Sequence, residues 1–386
     1  MEPDVTPVLT LDPRRWRRRV LFAVAYLLFL LLLLETGARL FWKSRGVPFF
    51  SAPTSLYASF YPRMAERRRQ GVGGEEPCFD VLLLGASALH PDYGDIAVRL
   101  RDRLTAESNQ CVRLHNLAEP AHTTLDSYYK YKHLTDMHVD LVVIYHGINE
   151  VRANNCPAEV FRADYSHFAW YRLIQDAEEG ASSRWFVLPY TMKFVALKTA
   201  SRLGWDWYLP THEPDETSMA YGCEVKTAAS FRRHIEGILA MAAERRESVM
   251  LMTFAYYLPD GYSPEKFKTK ELDYAAHRFP MELWGRPDCV VKALEAHNAE
   301  IVSLAGQSRS GVISEDALKF KVARGADSTG IGDEGSGVWF VDQQALMPDE
   351  GAFFDDICHF SQRGCERFVE NMLPLLRSAV KEWASR

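Results

Sequence analysis

The chain has 386 residues and a formal net charge of −6, and 47% of its residues are hydrophobic. This length suits one large α/β domain with accessory segments, and the apolar fraction is sufficient for a sizeable core. The sequence has neither zinc-ligand spacing nor a basic stripe interleaved with aromatic residues, which argues against nucleic acid as a partner.

The N-terminus joins a cluster of arginines to an apolar run. Five arginines between positions 14 and 19 precede the uncharged run Val20–Leu34, and Glu35 and Arg39 follow, one helical turn apart and able to pair. The run alone is short for a span of about twenty residues, but continuing to Trp42 gives enough length. Arginines before an apolar helix favour a cytoplasmic N-terminus. We therefore expect a cytoplasmic tail over 1–19 and a transmembrane anchor over 20–42, with the rest periplasmic or extracellular.

A cleaved signal peptide is the alternative for this segment, because Thr36-Gly37-Ala38 resembles a small-residue cleavage site. The charged Glu35 between the leucine run and that site favours an uncleaved anchor. Both interpretations export the rest of the chain.

Residues 43–76 are expected to form a linker, since they combine Gly, Pro and Ser with a charged stretch. Beyond it, apolar strands alternate with helical patterns. The predicted strands are 79–85, 112–117, 140–147, 248–257 and 338–342. The predicted helices are 92–107, 124–135, 227–246, 288–304 and 362–383.

This alternation predicts an α/β fold with a parallel sheet covered by helices on both faces. The domain is expected to span 77–386, with insertions near 151–225 and 258–336. The first insertion is aromatic-rich and is expected to be irregular, and the second ends in a Gly-rich loop over 323–337.

Three candidate residues follow predicted strands. Ser87 comes after the first strand, Ala121 lies in the turn after the second, and Asn149 follows the third. Ligands of open parallel sheets bind beyond the carboxyl ends of the strands, so we expect these three residues to lie at the same edge of the sheet. Taken singly, each has an ordinary structural explanation as a helix cap or a turn residue.

Asp356 and His359 precede the last predicted helix. At this spacing the aspartate can hold the imidazole Nδ1–H while Nε2 faces a serine. Asp355 could compete for the same role. A turn-capping aspartate beside a surface histidine is the structural alternative.

These motifs resemble those of the SGNH hydrolases, also called the GDSL esterase/lipase family. The first block, Gly-Asp-Ser, corresponds to Gly85-Ala86-Ser87, and the fifth block, Asp-x-x-His, corresponds to 356–359. The third block, Gly-x-Asn-Asp, corresponds to 147–150.

The second block of the family has an Asn and then an oxyanion Gly; Asn116 matches the first, and Ala121 stands at the position of the second. This chain therefore departs from the family at Ala86, Ala121 and Glu150. Ala121 can serve as a main-chain donor if its φ is negative, because a left-handed backbone would cost Ala about 1 kcal/mol or more.

The resemblance covers roughly 77–386 and implies a three-layer α/β/α fold, flavodoxin-like, with five parallel strands. It implies Ser87 as nucleophile, His359 as base and Asp356 as its orienting acid. The implied oxyanion donors are Ser87, Ala121 and Asn149, and the chemistry needs no cofactor and no metal.

Four further residues are candidates for the wall of the pocket: His90, His122, His146 and Glu150. They lie near the same strand ends. A histidine in this position is more often part of a wall than a reacting group, and no two of them have convincing metal-ligand spacing.

Seven cysteines in an exported domain permit disulfides. Cys78 and Cys111 each come just before a strand, and they could bridge if the two strands are parallel neighbours. Cys156 with Cys223 is a weaker pairing. Buried free thiols are the alternative.

The sequence therefore predicts a membrane-anchored serine esterase that acts through an acyl-enzyme on a small-molecule or glycan ester. One alternative is an O-acyltransferase of envelope polysaccharide that uses the same site. The other is a catalytically silent carbohydrate- or envelope-binding protein, favoured by Ala86, Ala121 and the aromatic residues of 151–225. The G-x-S-x-G elbow of α/β-hydrolases does not fit, because Leu89 occupies its second Gly position. Nothing in the sequence indicates an oligomeric state.

Overall fold

The computed structural model describes residues 13–70, 77–179, 185–203, 219–307 and 337–385. Among these residues a single five-stranded sheet forms, with strand order β2-β1-β3-β4-β5 and every pairing parallel. The strands are β1 (Phe79–Gly85), β2 (Val112–Asn116), β3 (Leu141–Tyr145), β4 (Ser248–Met252) and β5 (Val338–Val341). The predicted parallel sheet and its five strands are confirmed, but β4 ends at Met252 and not at the expected residue 257, and β3 spans 141–145 and not 140–147.

Helices cover both faces of the sheet. In chain order they are α1 (Pro13–Lys43), α2 (Pro62–Gln70), α3 (Ile96–Ser108), α4 (Thr124–His133), α5 (Ile148–Asn154), α6 (Ala169–Glu179), α7 (Leu188–Arg202), α8 (Ala228–Arg245), α9 (Pro264–Thr269), α10 (Pro287–Gln307), α11 (Gln343–Leu346) and α12 (Gln362–Ala384). Helices α3 and α12 pack together on one face, and α4, α8 and α10 on the other. The central strands β1 and β3 are almost entirely apolar because both faces of the sheet are buried there, whereas the edge strand β2 carries Arg113, His115 and Asn116.

The register of the central strands determines where the candidate residues lie. Leu83 of β1 pairs with Asn116 at the end of β2, and Gly85 pairs with Tyr145 at the end of β3. The three strands therefore end at nearly the same level. Ser87, the turn after β2 and the start of α5 follow from that common edge, as expected for a parallel sheet.

Several segments differ from the sequence expectation. Helix α3 starts at Ile96, because the preceding turn runs through Pro91 and Gly94. The aromatic insertion 151–225 is not irregular throughout, since it contains α6 and α7. Residues 53–60 and 62–70 of the expected linker are helical, and Leu56, Phe60, Tyr61 and Met64 are buried there. Nearly all of the predicted Gly-rich loop 323–337 lies outside the described residues.

The chain divides into two compact units. The anchor unit comprises Met1–Phe60 and Arg172–Asp206, and the sheet unit comprises Tyr61–Tyr171 and Trp207–Arg386. The predicted domain boundaries remain predictions, and part of the first insertion groups with the N-terminal segment.

Helix α1 is long and apolar enough to cross a membrane, as expected for 20–42, and a signal sequence would meet the same criterion. Most of its large apolar side chains are exposed, for example Phe22 at 76% and Leu32 at 66%. Near its end, the Arg39 Nε donates to Glu35 Oε1 over 2.7 Å. The expected pairing of these two charges is confirmed.

Two disulfides cross-link segments of the sheet unit. Cys78 bonds Cys111, as expected from the pairing of Phe79 with Val112 in neighbouring strands. The pairing of Cys156 with Cys223 was wrong, because Cys223 bonds Cys289 at the start of α10 and Cys156 is a buried free thiol.

Candidate active site

Ser87 lies two residues beyond β1, at the start of a short 3-10 turn over Ser87–Leu89. The chain needs glycine just before it, because a Cβ at Gly85 would lie 2.8 Å from Leu89 Cδ1 and 3.0 Å from the Tyr145 carbonyl oxygen. Ser87 itself is 7% exposed. The tight exit from the strand therefore fixes where the hydroxyl points.

The hydroxyl of Ser87 meets His359. Ser87 Oγ lies 2.9 Å from His359 Nε2. On the other side of the ring, His359 Nδ1 lies 2.8 Å from Asp356 Oδ2 and 2.9 Å from Oδ1. Serine, imidazole and carboxylate thus form one continuous hydrogen-bonded chain, although His359 and Ser87 are 272 positions apart in sequence.

The tight turn that follows Asp356 fixes its carboxylate. The backbone N–H groups of Cys358 and His359 both donate to Asp356 Oδ1 over 2.9 Å. Burial opposes the charged form, but the nearby His359 and these two amides hold the pKa of Asp356 below its usual range. The carboxylate is therefore charged at neutral pH and available to orient the imidazole.

Asp355 does not take that role. Its carboxylate lies 3.2 Å from Arg278 Nη2, and its backbone N–H donates to the His359 carbonyl over 2.7 Å. The face of the His359 ring is covered by Tyr93, stacked at a centroid distance of 4.6 Å. Of the two aspartates, Asp356 is the one whose carboxylate contacts His359 Nδ1.

The expected oxyanion donors surround the same edge of the sheet. Asn149 lies in the first turn of α5, and its Nδ2 donates to the His122 carbonyl over 2.9 Å, which leaves a second amide hydrogen. Ala121 is exposed, and within the described part of the chain its N–H has no hydrogen-bond partner.

Ala121 has a φ of +64°, in the left-handed region. The condition of a negative φ, under which alanine would serve without backbone strain, is therefore not met. The backbone at this position takes a conformation that suits glycine, and alanine adopts it at a cost of about 1 kcal/mol. The N–H therefore points as it would from a glycine.

Side chains from several elements hold the turn between β2 and α4. Asn116 Oδ1 accepts from Ala118 N over 2.9 Å, and its Nδ2 donates to the Leu89 carbonyl over 2.8 Å. This second bond ties the turn to the segment carrying Ser87. At the far end, Thr123 caps α4 and its N–H donates to Asp126 over 2.8 Å.

Glu150 also holds this turn. One carboxylate oxygen accepts from the Thr124 N–H, and the other has no hydrogen-bond partner among the described residues. Burial raises the pKa of Glu150 to about 8, so the carboxyl is protonated at neutral pH. Glu150 is thus a buried support of the turn.

The three candidate histidines have different surroundings. His90 Nε2 lies 3.0 Å from Arg63 Nη2, while its Nδ1 accepts from the Asp92 N–H over 3.2 Å. His146 Nε2 lies 2.7 Å from Ser127 Oγ. Burial lowers the pKa of His122 and of His146 to about 3, so both are neutral at physiological pH. None of the three contacts Ser87 or His359 through a side-chain hydrogen bond in the described structure.

Sequence reasoning missed a buried polar cluster beneath the turn. Asp126 accepts from Tyr171 Oη over 2.7 Å and from Tyr61 Oη over 3.2 Å, and Lys130 Nζ donates to the Leu117 carbonyl over 2.7 Å. Burial lowers the pKa of Lys130 to about 8. The spacing of Thr123 and Asp126 could have indicated a capping box. Nothing in the sequence marks Lys130 as a core residue.

Two groups of potential metal ligands occur among the described residues: Cys223 with Asp288 and Cys289, and Asp356 with Cys358 and His359. The first contains a disulfide. In the second, Asp356 and His359 bind each other, and burial raises the pKa of the Cys358 thiol well above its usual range. Neither group presents a free set of donors, and the expectation of a metal-free site stays a prediction.

A scan against protein-family models finds no match, and a search of curated proteins finds none either. Among solved structures, the chain is similar to an acetyl xylan esterase from Geobacillus stearothermophilus, with 13% identity, a TM-score of 0.38, and coverage of 78% of this chain and 95% of that one. It is also similar to the lipase/acylhydrolase from Enterococcus faecalis, with 13% identity, a TM-score of 0.37 and the same two coverages.

Similarity at this level carries no argument about activity. In the order of its motifs and in their position at strand ends, the chain resembles the SGNH hydrolases.

Proposed function

We propose that this protein is a serine esterase, anchored in a membrane, that acts through an acyl-enzyme. The observation that carries the proposal is the hydrogen-bonded chain from Ser87 Oγ through His359 to Asp356, at 2.9 Å and 2.8 Å. A buried, charged carboxylate that holds the correct imidazole tautomer is the feature that makes serine a nucleophile.

In the first half of the proposed reaction, Ser87 Oγ attacks the ester carbonyl carbon while its proton passes to His359 Nε2. The negative charge on the carbonyl oxygen is stabilised by the N–H groups of Ser87 and Ala121 and by the Asn149 amide. The bond to the alcohol oxygen then breaks, and His359 returns the proton to the leaving alcohol. In the second half, water attacks the acyl carbon while its proton passes to His359 Nε2; the bond to Ser87 Oγ then breaks, His359 returns the proton to Oγ, and the carboxylic acid is released.

Helix α1 supplies the proposed anchor. Cleavage at Thr36-Gly37-Ala38 would remove Glu35, whose carboxylate accepts from the backbone N–H groups of Val187 and Leu188 over 3.0 and 2.8 Å. Those two groups belong to the buried start of α7 and would lose their acceptor. This contact favours an anchor that is retained. The arginines at positions 14–19 favour a cytoplasmic N-terminus, which would place the sheet unit outside the cytoplasm.

Turnover of a simple acetate ester tests the proposal. The full chain in detergent is expected to hydrolyse p-nitrophenyl acetate, and Ser87→Ala is expected to lower kcat by a factor of about 10³ or more. Ser230→Ala is the matched control, because this buried serine bonds the Ala163 carbonyl over 2.7 Å and takes no part in the site. Equal turnover by the Ser87→Ala variant and the wild type would overturn the proposal.

The same acyl-enzyme could pass its acyl group to an alcohol in place of water, which is the transferase alternative. Adding a carbohydrate acceptor and analysing the products by mass spectrometry separates the two. Acetate alone indicates a hydrolase, and acetylated acceptor indicates a transferase. No turnover by the folded wild-type chain would favour the silent binding protein.

A further inference from the structure

The end of α1 is covered by a second segment of the anchor unit. Glu35 is 8% exposed, and its two carboxylate oxygens accept from the N–H groups that begin α7. Arg39 donates to Glu35, to the Phe49 carbonyl over 2.8 Å and to the Trp185 carbonyl over 2.9 Å. Both charges are therefore paired and hydrogen-bonded, as charges at membrane depth must be.

The length of the apolar run places these charges at membrane depth. Val20–Leu34 spans roughly 22 Å as a helix, against a hydrocarbon thickness of about 30 Å. A bilayer that begins at Val20 therefore reaches the level of Glu35 and Arg39 unless it thins. At that level α1 is in contact with α7.

Helix α7 is apolar on two faces. Tyr190 and Phe194 pack on Trp42 of α1, with ring centroids 5.6 and 5.1 Å apart, and Trp42 Nε1 donates to Thr191 Oγ1 over 2.9 Å. On the other side, Met192 is 65% exposed and Val195 is 52% exposed. Helix α7 thus exposes apolar side chains on a side that is not packed on α1, between charged residues such as Lys193 and Lys198.

Other apolar residues of the same unit are also exposed. Phe50 is 91% exposed, and Trp185 and Phe186, just before α7, are 79% and 60% exposed. Tryptophan is enriched where a membrane meets water, as Trp185 would be here. Together with Met192 and Val195, these residues are called here the α7 outer face.

Cations gather beyond the end of α1. The Arg45 guanidinium lies 4.7 Å from the Phe41 ring centroid and 5.4 Å from that of Phe194 on α7, and α7 itself carries Lys198 and Arg202. Basic residues next to apolar ones are typical of segments that lie in the headgroup region.

We propose that the α7 outer face is a second membrane-contacting surface, seated in the interfacial region of the same bilayer that α1 crosses. The occupant is lipid. Helix α7 packs on the end of α1, and the exposed side chains of α1 are the proposed lipid-facing surface, so the α7 outer face lies next to that surface. The inference rests on the proposed insertion of α1.

Spin labels in the full chain, reconstituted in vesicles of phosphatidylethanolamine and phosphatidylglycerol, test this inference. Labels at Val195→Cys and Met192→Cys are compared with one at Val98→Cys, a valine of the sheet unit that is 47% exposed. The free cysteines of the described structure are buried, so the wild-type chain provides the labelling background. We expect labels at 192 and 195 to collide more with oxygen than with a water-soluble nickel chelate, and the label at 98 to do the reverse.

A label at Leu28→Cys on α1 separates failure of this inference from failure of the anchor. If Leu28 is in lipid while 192 and 195 meet the nickel chelate as freely as 98 does, the α7 outer face is aqueous and the inference is wrong. If Leu28 also meets the chelate, the anchor itself is wrong. Labels at 192 and 195 that are shielded from both reagents indicate a protein partner and equally overturn the inference.

Discussion

The imidazole of His359 is held at both ring nitrogens and on one ring face. Asp356 holds Nδ1, Ser87 lies at Nε2, and Tyr93 stacks on the ring face. The orientation of a base matters as much as its basicity, because the proton is transferred only along a formed hydrogen bond.

Replacing the carboxylate that orients His359 should cost most of the activity. Asp356→Asn is expected to lower kcat for ester hydrolysis by about 10³–10⁴, because the amide no longer favours the working tautomer. Asp355→Asn is the matched control, since Asp355 pairs with Arg278 and should keep most of the activity. Turnover by Asp356→Asn close to that of Asp355→Asn would contradict the assigned role.

The buried carboxyl of Glu150 should make stability depend on pH. Its pKa rises from an ordinary 4.5 to about 8 on folding, so its contribution is complete at low pH and is lost as the pH rises from about 4.5 to about 8. Glu150→Gln keeps an acceptor for the Thr124 N–H and cannot ionise. We expect its unfolding midpoint to rise relative to wild type between pH 5 and pH 8, by the equivalent of roughly 2–4 kcal/mol. A constant difference across this range would show that Glu150 does not titrate there.

Because the backbone at Ala121 is left-handed, a glycine there should preserve stability and activity, and a branched residue should lower both. Ala121→Gly removes the cost of a positive φ and adds chain entropy, so stability should change by less than about 1 kcal/mol and kcat/KM should be kept. Ala121→Val adds a branched side chain where it fits worst, and both quantities should fall. Thermal unfolding and ester hydrolysis measure them, and equal behaviour of the two variants would argue against a donor at this turn.

At the scale of elements, the strands and helices that could be predicted from the sequence are those with a clear local pattern of apolar residues. The strands β1, β3, β4 and β5 are short and mostly apolar runs, and the buried sheet preserves that pattern. Helices α6 and α7 were missed because their aromatic residues are buried by contacts made with distant segments, such as Trp42 with Phe194. Periodicity alone carries no sign of such contacts.

Some residues of the candidate site could likewise be predicted from the sequence, and others could not. Ser87, Asn149, Asp356 and His359 follow strands or precede a helix in recognisable motifs, so they could be proposed together. The supports of the site could not, because the roles of Asp126 and Lys130 depend on which polar groups the fold buries beside them. The Cys223–Cys289 bond likewise joins segments 66 positions apart, whose approach only the tertiary structure defines.

The bond between Cys78 and Cys111 should stabilise the edge of the sheet. It closes a loop of 33 residues between the starts of β1 and β2. A Cys78→Ser/Cys111→Ser double variant is expected to lose about 3–4 kcal/mol of stability from the unfolded state's regained freedom. Thermal unfolding measures the loss, and ester hydrolysis at low temperature is expected to persist. An unchanged midpoint would contradict the stabilising role of this bond.

At the scale of the whole molecule, the anchor unit brings the N-terminal helix and α7 into one compact structure. The buried contacts of Glu35 give α1 a structural role that a removed signal peptide would lack. The protein recovered from membranes is therefore expected to retain peptides that precede Arg39, as identified by mass spectrometry. A mature chain that begins between Gly37 and Leu40 would contradict a retained anchor.

The central claim is that Ser87 is activated by His359, and covalent labelling tests it most directly. A fluorophosphonate reacts with an activated serine hydroxyl, so digestion and mass spectrometry of the treated full chain should find the adduct on the peptide that contains Ser87. The adduct should form at a greatly reduced rate in His359→Ala and be absent from that peptide in Ser87→Ala. No adduct on the folded wild-type chain at neutral pH, or labelling of Ser87 that His359→Ala leaves unchanged, would contradict the proposed mechanism.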